Sequence, residues 1–477
     1  MKDMILILDY SGEFALETAR RLRAEQVYAS ICCGATTAEQ VRAADPRGVV
    51  LAGASAGGAG VFDAEILSLG VPVLALGNAA HMLLTALGGA CADIELRGRK
   101  ATITYGESAL FAGVESGERL IGEARMLMLP PDVRMSASAG ACTIAFEKPE
   151  KRLYGVQFEL ERNDPDGTAI LKNFALSICG CTPWWDSGAM LRETGRLPAE
   201  AAETGGRAVC AVSGGVDSTV AAVLTHRAFG ERMRAVFVDT GLMRAGEVEE
   251  LRERFAALGV PLRIEDRADA TLRALAGRRD MEEKRAVVSA FIREQLLRVC
   301  EAEEANTLVL GSHYSDALAG GREDWQSGGV RVVCPLESLL KGEVRALAGE
   351  LGLGESVAQR KPFPMLGLGA RIIGEVTQER LHALRRAEAV FQEELGAAGL
   401  ARKLYKGFPV LTQGLSPMEG EMIVLRAVTE SGAWLMPARL PPDLLERTAQ
   451  RILEGAPQVT RVLYDETPTP AGRETFA

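Results

Sequence analysis

A chain of 477 residues is long enough for about three domains at ~150 residues each. With 47 % apolar and 25 % charged residues it can bury sizeable cores, which excludes a mostly disordered polymer. Its 54 basic and 64 acidic residues leave a net charge of −10, which argues against non-specific binding to nucleic acid or an anionic membrane.

The first element is the continuous apolar run Met4–Leu8, as expected of a strand buried on both faces of a parallel sheet. No small-residue cleavage site follows it, and no apolar run in the chain reaches the ~18 residues of a membrane span. A cytoplasmic protein is expected. Residues 13–24 carry Phe14, Ala15, Ala19 and Leu22 at helical spacing. Gly48–Ala52 and Val71–Leu76 read as further buried strands, and Ala79–Leu87 as an apolar helix. Strands continue through Thr102–Tyr105, Cys142–Phe146 and Tyr154–Phe158, and Pro183–Ser187 and Pro198–Gly206 frame a linker and bridging helix. A second set begins with Ala208–Val212, Ala235–Val238 and Thr307–Leu310, separated by helical stretches. This alternation implies parallel, doubly wound sheets. Around Lys361–Gly369 the texture turns to Pro and Gly, and the remainder reads as α+β. It holds helices at Glu379–Leu395 and Pro442–Glu454 and a final strand at Val459–Tyr464. The nine scattered cysteines read as reduced thiols, with Cys179 and Cys181 at a buried helix end rather than in a metal site.

One motif carries chemistry. Ser213-Gly214-Gly215-Val216-Asp217-Ser218 lies directly between a buried strand and a helix. Glycines there let backbone amides approach an anion, and the helix N-terminus adds roughly half a positive charge. The two hydroxyls can donate to phosphate oxygens, and Asp217 can hold Mg²⁺, which prefers carboxylate oxygen. No Gly-Lys-Ser/Thr follows, so this is not a Walker A loop; it resembles the pyrophosphate (PP) loop of ATP pyrophosphatases.

The whole chain resembles the GMP synthetase family, glutamine-dependent enzymes that aminate XMP. Val236–Arg244 is similar to the family's adenosine-binding strand end, with Asp239 at its carboxyl terminus. Gly311–Asp316 resembles a substrate loop, and Pro335–Arg345 the segment whose lysine, here Lys341, faces pyrophosphate. Pro362-Phe-Pro, Gly367-Leu-Gly and Leu425–Val428 extend the likeness into a dimerisation domain. The resemblance implies three domains: a class I glutamine amidotransferase-like domain over 1–185, an ATP pyrophosphatase domain over 186–362, and a small α+β dimerisation domain over 363–477. It implies ATP and Mg²⁺ as cofactors, Asp217 and Lys341 as catalytic residues, and Ser213–Ser218 and Asp239 around ATP. Gly311, Asp316 and Arg371 are the implied acceptor contacts, and a homodimer is the implied assembly.

The sequence departs from that family in two places. Class I amidotransferases place a cysteine on a strand-to-helix elbow, with His and Glu from a later segment. Here Gly77 stands at the nucleophile, Glu159 at the histidine, and only Glu161 is retained. Glycine has no sulfur to attack an amide, and a carboxylate cannot replace an imidazole poised near neutrality. The glutaminase is therefore expected to be inactive, with ammonia taken free or from a separate glutaminase. Secondly, the family's cationic acceptor segments are replaced by Arg322–Gln326, Gln413–Glu421 and Thr469–Ala477. The expected function is an AMP-forming ligase acting on XMP. Two alternatives stay open: an ATP pyrophosphatase with another acceptor and an amine or sulfur nucleophile, or a non-catalytic regulatory protein.

Overall fold

The computed structural model describes residues 3–10, 13–53, 62–93, 99–121, 125–158, 165–314, 316, 325, 329–358, 365–414, 420–431 and 434–470. They form two compact units, Met1–Met190 and Leu191–Ala477. Among the described residues, no helix is long and apolar enough to cross a membrane.

The first unit is built on a nine-stranded sheet. Its parallel strands are β1 (Ile5–Asp9), β2 (Ala29–Cys33), β3 (Gly48–Ala52) and β4 (Val73–Leu76). Every residue of Ile5–Leu8, Gly48–Ala52 and Val73–Leu76 is buried, which is why these runs lack polar alternation. The helix Glu13–Ala24 buries Ala15, Ala19 and Leu22 on one face. After a short β5 (Ala90–Asp93) come β6 (Arg99–Tyr105), β7 (Gly117–Ile121), β8 (Arg125–Met128), β9 (Arg134–Ala139), β10 (Cys142–Lys148) and β11 (Leu153–Val156). The sheet order is β2-β1-β3-β4-β11-β10-β9-β6-β7, and β5 pairs with β8 apart from it. β11 runs parallel to β4 but antiparallel to β10, so a doubly wound core is continued by an antiparallel extension.

The second unit begins within the helix Ser187–Glu203, which leads into β12 (Arg207–Ala211). β13 (Met233–Asp239), β14 (Leu262–Asp266), β15 (Ala305–Val309) and β16 (Arg331–Val333) complete a parallel sheet in the order β14-β13-β12-β15-β16. The chain leaves β12 in one direction to β13 and β14, then returns on its other side to β15 and β16. That reversal opens a crevice at the carboxyl ends of the strands, where such sheets bind ligands. The C-terminal elements are β17 (Lys406–Gln413), β18 (Glu421–Ser431), β19 (Trp434–Pro437), β20 (Val459–Tyr464) and β21 (Thr469–Pro470). Helices Gln378–Ala397 and Pro442–Gly455 accompany this sheet.

These C-terminal elements share a core with the parallel sheet's own surroundings. Leu242, Leu275 and Val288 cluster with Leu368, Ile372, Leu384, Phe391, Leu411 and Ile423. Lys284, fully buried, donates to the carbonyls of Ile372 at 2.7 Å and Gly374 at 3.0 Å. Burial pushes its ammonium below the ordinary lysine range, and the neighbouring charge of Arg380 adds to that.

Gly367 sits at this junction with φ +57, and a Cβ there would lie 2.3 Å from the Leu242 carbonyl oxygen. Gly367→Ala is therefore expected to destabilise the second unit by about 3 kcal/mol, through backbone strain and a clash that cannot relax. Gly349→Ala, on an exposed helical face with open space around the new methyl, is expected to be neutral or stabilising by about 0.5 kcal/mol. Denaturant midpoints of the two variants check both.

Candidate functional site

The carboxyl end of β12 gives way to Val212, an exposed Ser213, and Gly214 with φ +80. Only glycine holds that backbone without strain. Gly215 then caps the helix Val216–Phe229. The Ser218 hydroxyl pins the turn from inside: it accepts from the Ser213 amide at 3.1 Å and donates to the Gly215 carbonyl at 3.2 Å. Thr219 donates to the same carbonyl at 2.8 Å. The first-turn amides have no acceptor within the helix and face the end of the sheet, as an anion site requires. Arg254, from the helix Glu247–Ala257, donates to the Gly214 carbonyl at 3.1 Å.

Gly311, which follows β15, is pressed against this turn. A Cβ there would lie 2.7 Å from both the amide nitrogen and Cα of Ser218. Tyr314 in the same loop donates its amide to the Leu339 carbonyl at 3.0 Å, tying the loop to the segment that presents Lys341. Lys341 is the first residue of the helix Lys341–Glu350, where a cation opposes the helix dipole. Its Nζ instead bonds Asp217 Oδ2, the side chains being 32 % and 22 % exposed. Asp217 Oδ1 is buried and has no partner among the described residues. An orphaned carboxylate oxygen in a turn that also carries two serine hydroxyls suits a hard cation such as Mg²⁺, which usually takes one or two carboxylates and completes its shell with water and phosphate.

Asp239 ends the neighbouring strand β13. Its Oδ1 accepts from the Gly241 amide at 2.8 Å. Burial raises its pKa and Asp266 adds to that, while the Gly241 N–H and Arg385 oppose it. Ser213–Ser218, Gly311 and Lys341 thus converge on one strand end, with Asp239 at the end of the adjacent strand. Asp316 turns back on its own loop, accepting from the His313 amide at 3.0 Å. Arg371 pairs with Glu388 at 2.9 Å and stacks over Phe408 with its guanidinium carbon 4.8 Å from the ring centroid. Arg254 and Arg385 carry no motif and are visible only once the chain is folded.

In the first unit, Gly77 stands between β4 and the helix Asn78–Ala86 with φ 61 and ψ −131. That is the strained strand-to-helix elbow on which nucleophiles sit in other folds. A Cβ at Gly77 would meet nothing within 4 Å. His81, one turn on, is buried, with Nε2 2.6 Å from Gln157 Oε1, and Gln157 donates to the Arg125 and Thr143 carbonyls at 3.0 and 2.7 Å. Burial pushes the Cys181 thiol up to about 11 and that of Cys179 higher still, so neither is a ready thiolate. Glu159, Glu161, residues 322–324 and 326, residues 415–419 and residues 471–477 lie outside the described residues.

Gly311→Ala is expected to displace the Ser213–Ser218 turn and weaken pyrophosphate binding more than tenfold, because both atoms it strikes are backbone of a helix end. Calorimetric titration with pyrophosphate, beside a melting curve showing retained folding, checks this.

Residues 199–375 match the family described as NAD synthase. Nearly the whole chain aligns with curated enzymes named GMP synthase (glutamine-hydrolyzing). The relative from Parafrankia sp. (strain EAN1pec) is 37 % identical over 520 residues, covering 98 % of this chain and 96 % of its own. Those from Streptomyces avermitilis and Corynebacterium glutamicum (strain R) are 36 % and 37 % identical, each covering 98 % of this chain and 97 % of their own. With that identity along nearly its full length, and the Ser213–Ser218 turn lying within the stretch that matches NAD synthase, the chain belongs to the GMP synthase family of carbon–nitrogen ligases.

Proposed function

We propose that this chain adenylates XMP at the expense of ATP and aminates it to GMP, using ammonia rather than glutamine. The observation that carries the ligase reading is the Asp217–Lys341 pair set against the Ser213–Ser218 turn. The turn's amides and hydroxyls bind the β- and γ-phosphates and leave the α-phosphorus open. The carbonyl oxygen of XMP attacks that phosphorus, the bond to the β-phosphate oxygen breaks, and pyrophosphate departs. Ammonia then attacks the activated carbon, AMP leaves carrying the former carbonyl oxygen, and a proton is released. Lys341 and the turn amides stabilise the charge that develops on pyrophosphate, so the protein's part is positioning and electrostatics. Mg²⁺, which Asp217 is suited to hold, supplies further charge neutralisation when bound.

Ammonia dependence rests on Gly77, an elbow with no sulfur to attack glutamine. Loss of a nucleophile and its base costs on the order of 10⁶ in turnover, by analogy with protease triads. Ammonia is then free or supplied by a separate glutaminase. We divide the chain into an amidotransferase-like domain (1–185), an ATP pyrophosphatase domain (186–362) and a dimerisation domain (363–477). A homodimer formed through the last is supported by exposed Trp434 and Met436 on β19 and Leu463 on β20. A second reading, a different acceptor on the same ATP site, draws on Arg371, whose charge is taken up by Glu388.

Multiple-turnover release of pyrophosphate and AMP from ATP, Mg²⁺ and XMP is expected with ammonium, and no more than one equivalent of pyrophosphate per site with glutamine. Turnover on glutamine, or free glutamate in its presence, overturns the ammonia reading; binding of ATP without turnover on XMP favours the second reading. Asp217→Ala is expected to lower kcat at least 100-fold, the scale of removing one electrostatic contact to a transition state. An unchanged rate overturns its role.

A further inference from the structure

The loop Thr240–Arg244, which follows Asp239 on the nucleoside side of the proposed ATP site, is held from outside the parallel sheet. Arg385, on the helix Gln378–Ala397, donates through Nη2 to the Gly241 carbonyl at 2.6 Å and through Nε to the Met243 carbonyl at 3.0 Å. Leu368 donates its amide to the Leu242 carbonyl between them at 2.7 Å. Glu388, three residues beyond Arg385, pairs with Arg244 Nε at 2.8 Å. All three carbonyls and the closing arginine are therefore tied to residues 368–388. Gly241, with φ +71, has no room for another shape, since a Cβ there would lie 2.6 Å from that of Ala268. Thr240 Oγ1 is left buried with no hydrogen-bond partner among the described residues, a polar atom available to a ligand at this strand end.

We infer that Arg385 is a positioning residue of the ATP site, fixing the loop after β13 in the shape that receives the nucleoside of ATP. It touches no phosphate and acts through the Gly241 and Met243 carbonyls. A planar guanidinium can bridge two carbonyls two residues apart, whereas an ammonium reaches one. Without the bridge the loop samples other conformations, and apparent affinity falls by the fraction of time the competent one is lost. Pyrophosphate, held by Ser213–Ser218 and Lys341 and by nothing on that loop, does not sense that loss. The inference rests on the ATP site proposed above.

The test is titration of the full chain with ATP and, separately, with pyrophosphate, both with Mg²⁺. Arg385→Ala is expected to weaken ATP about tenfold, the scale of one charge-assisted hydrogen bond, and to leave pyrophosphate within twofold. Arg385→Lys is expected to fall between, keeping one of the two bonds, and serves alone if the alanine variant does not fold. ATP affinity unchanged in the lysine and alanine variants, or ATP and pyrophosphate weakened equally, overturns the inference. A wild-type chain that binds neither ligand overturns the underlying ATP site instead. Where turnover is measured, the KM for ATP rises and kcat holds; a fall in kcat alone contradicts a positioning role.

Discussion

Everything at the candidate site depends on one contact, the ion pair that brings Lys341 across to Asp217. Alone, each residue is poorly placed: a lysine at a helix N-terminus opposes the dipole, and a carboxylate in a phosphate-binding turn repels the ligand. Together they form a charge-balanced pair, and in the proposed reaction the lysine turns to pyrophosphate while the carboxylate takes a cation. The pair exists because β12 lies between β13 and β15, so that residues following β15 and β16 arrive beside the turn that follows β12. Gly311 sets how closely they arrive.

The second unit distributes the proposed ATP site between two sets of elements. The phosphate side is made locally, by a turn and a helix end. The nucleoside side depends on a loop whose carbonyls are held by residues 368–388, within a core that joins Leu242 to Leu368, Ile372 and Phe391. On the reading proposed above, a core of this kind ties the C-terminal elements to the ATP site apart from any pairing of chains. The first unit shows a different economy: the elbow at Gly77 keeps its backbone shape and the open space beside it, with only hydrogen where a side chain would begin.

What was legible in the sequence was what is local. Ser213–Ser218 can be read directly because strand, turn and helix cap lie within a few residues, and the buried runs Ile5–Leu8 and Gly48–Ala52 announce themselves by unbroken hydrophobicity. Apolar spacing predicts a helix over Glu379–Leu395, and the helix spans Gln378–Ala397. β14 leaves no clear pattern because Leu262–Asp266 is an edge strand with little burial and mixed polarity, and β16 because three residues give no periodicity. The Pro198–Gly206 stretch read as a linker boundary, yet the helix Ser187–Glu203 runs through Pro198. Lys341 lies 124 residues from Asp217, and no local pattern joins them; only the family likeness pointed to it. Arg385, 144 residues from the Gly241 carbonyl it holds, left no signal in the sequence at all.

The central claim is that an acceptor carbonyl oxygen is adenylated and leaves on AMP. The direct measurement is turnover with XMP carrying ¹⁸O at the reacting carbonyl, in the presence of ATP, Mg²⁺ and ammonium, followed by mass spectrometry of AMP and pyrophosphate. One ¹⁸O in the AMP phosphate and none in pyrophosphate is the predicted result. Label absent from AMP, or ADP and inorganic phosphate in place of AMP and pyrophosphate, would contradict it.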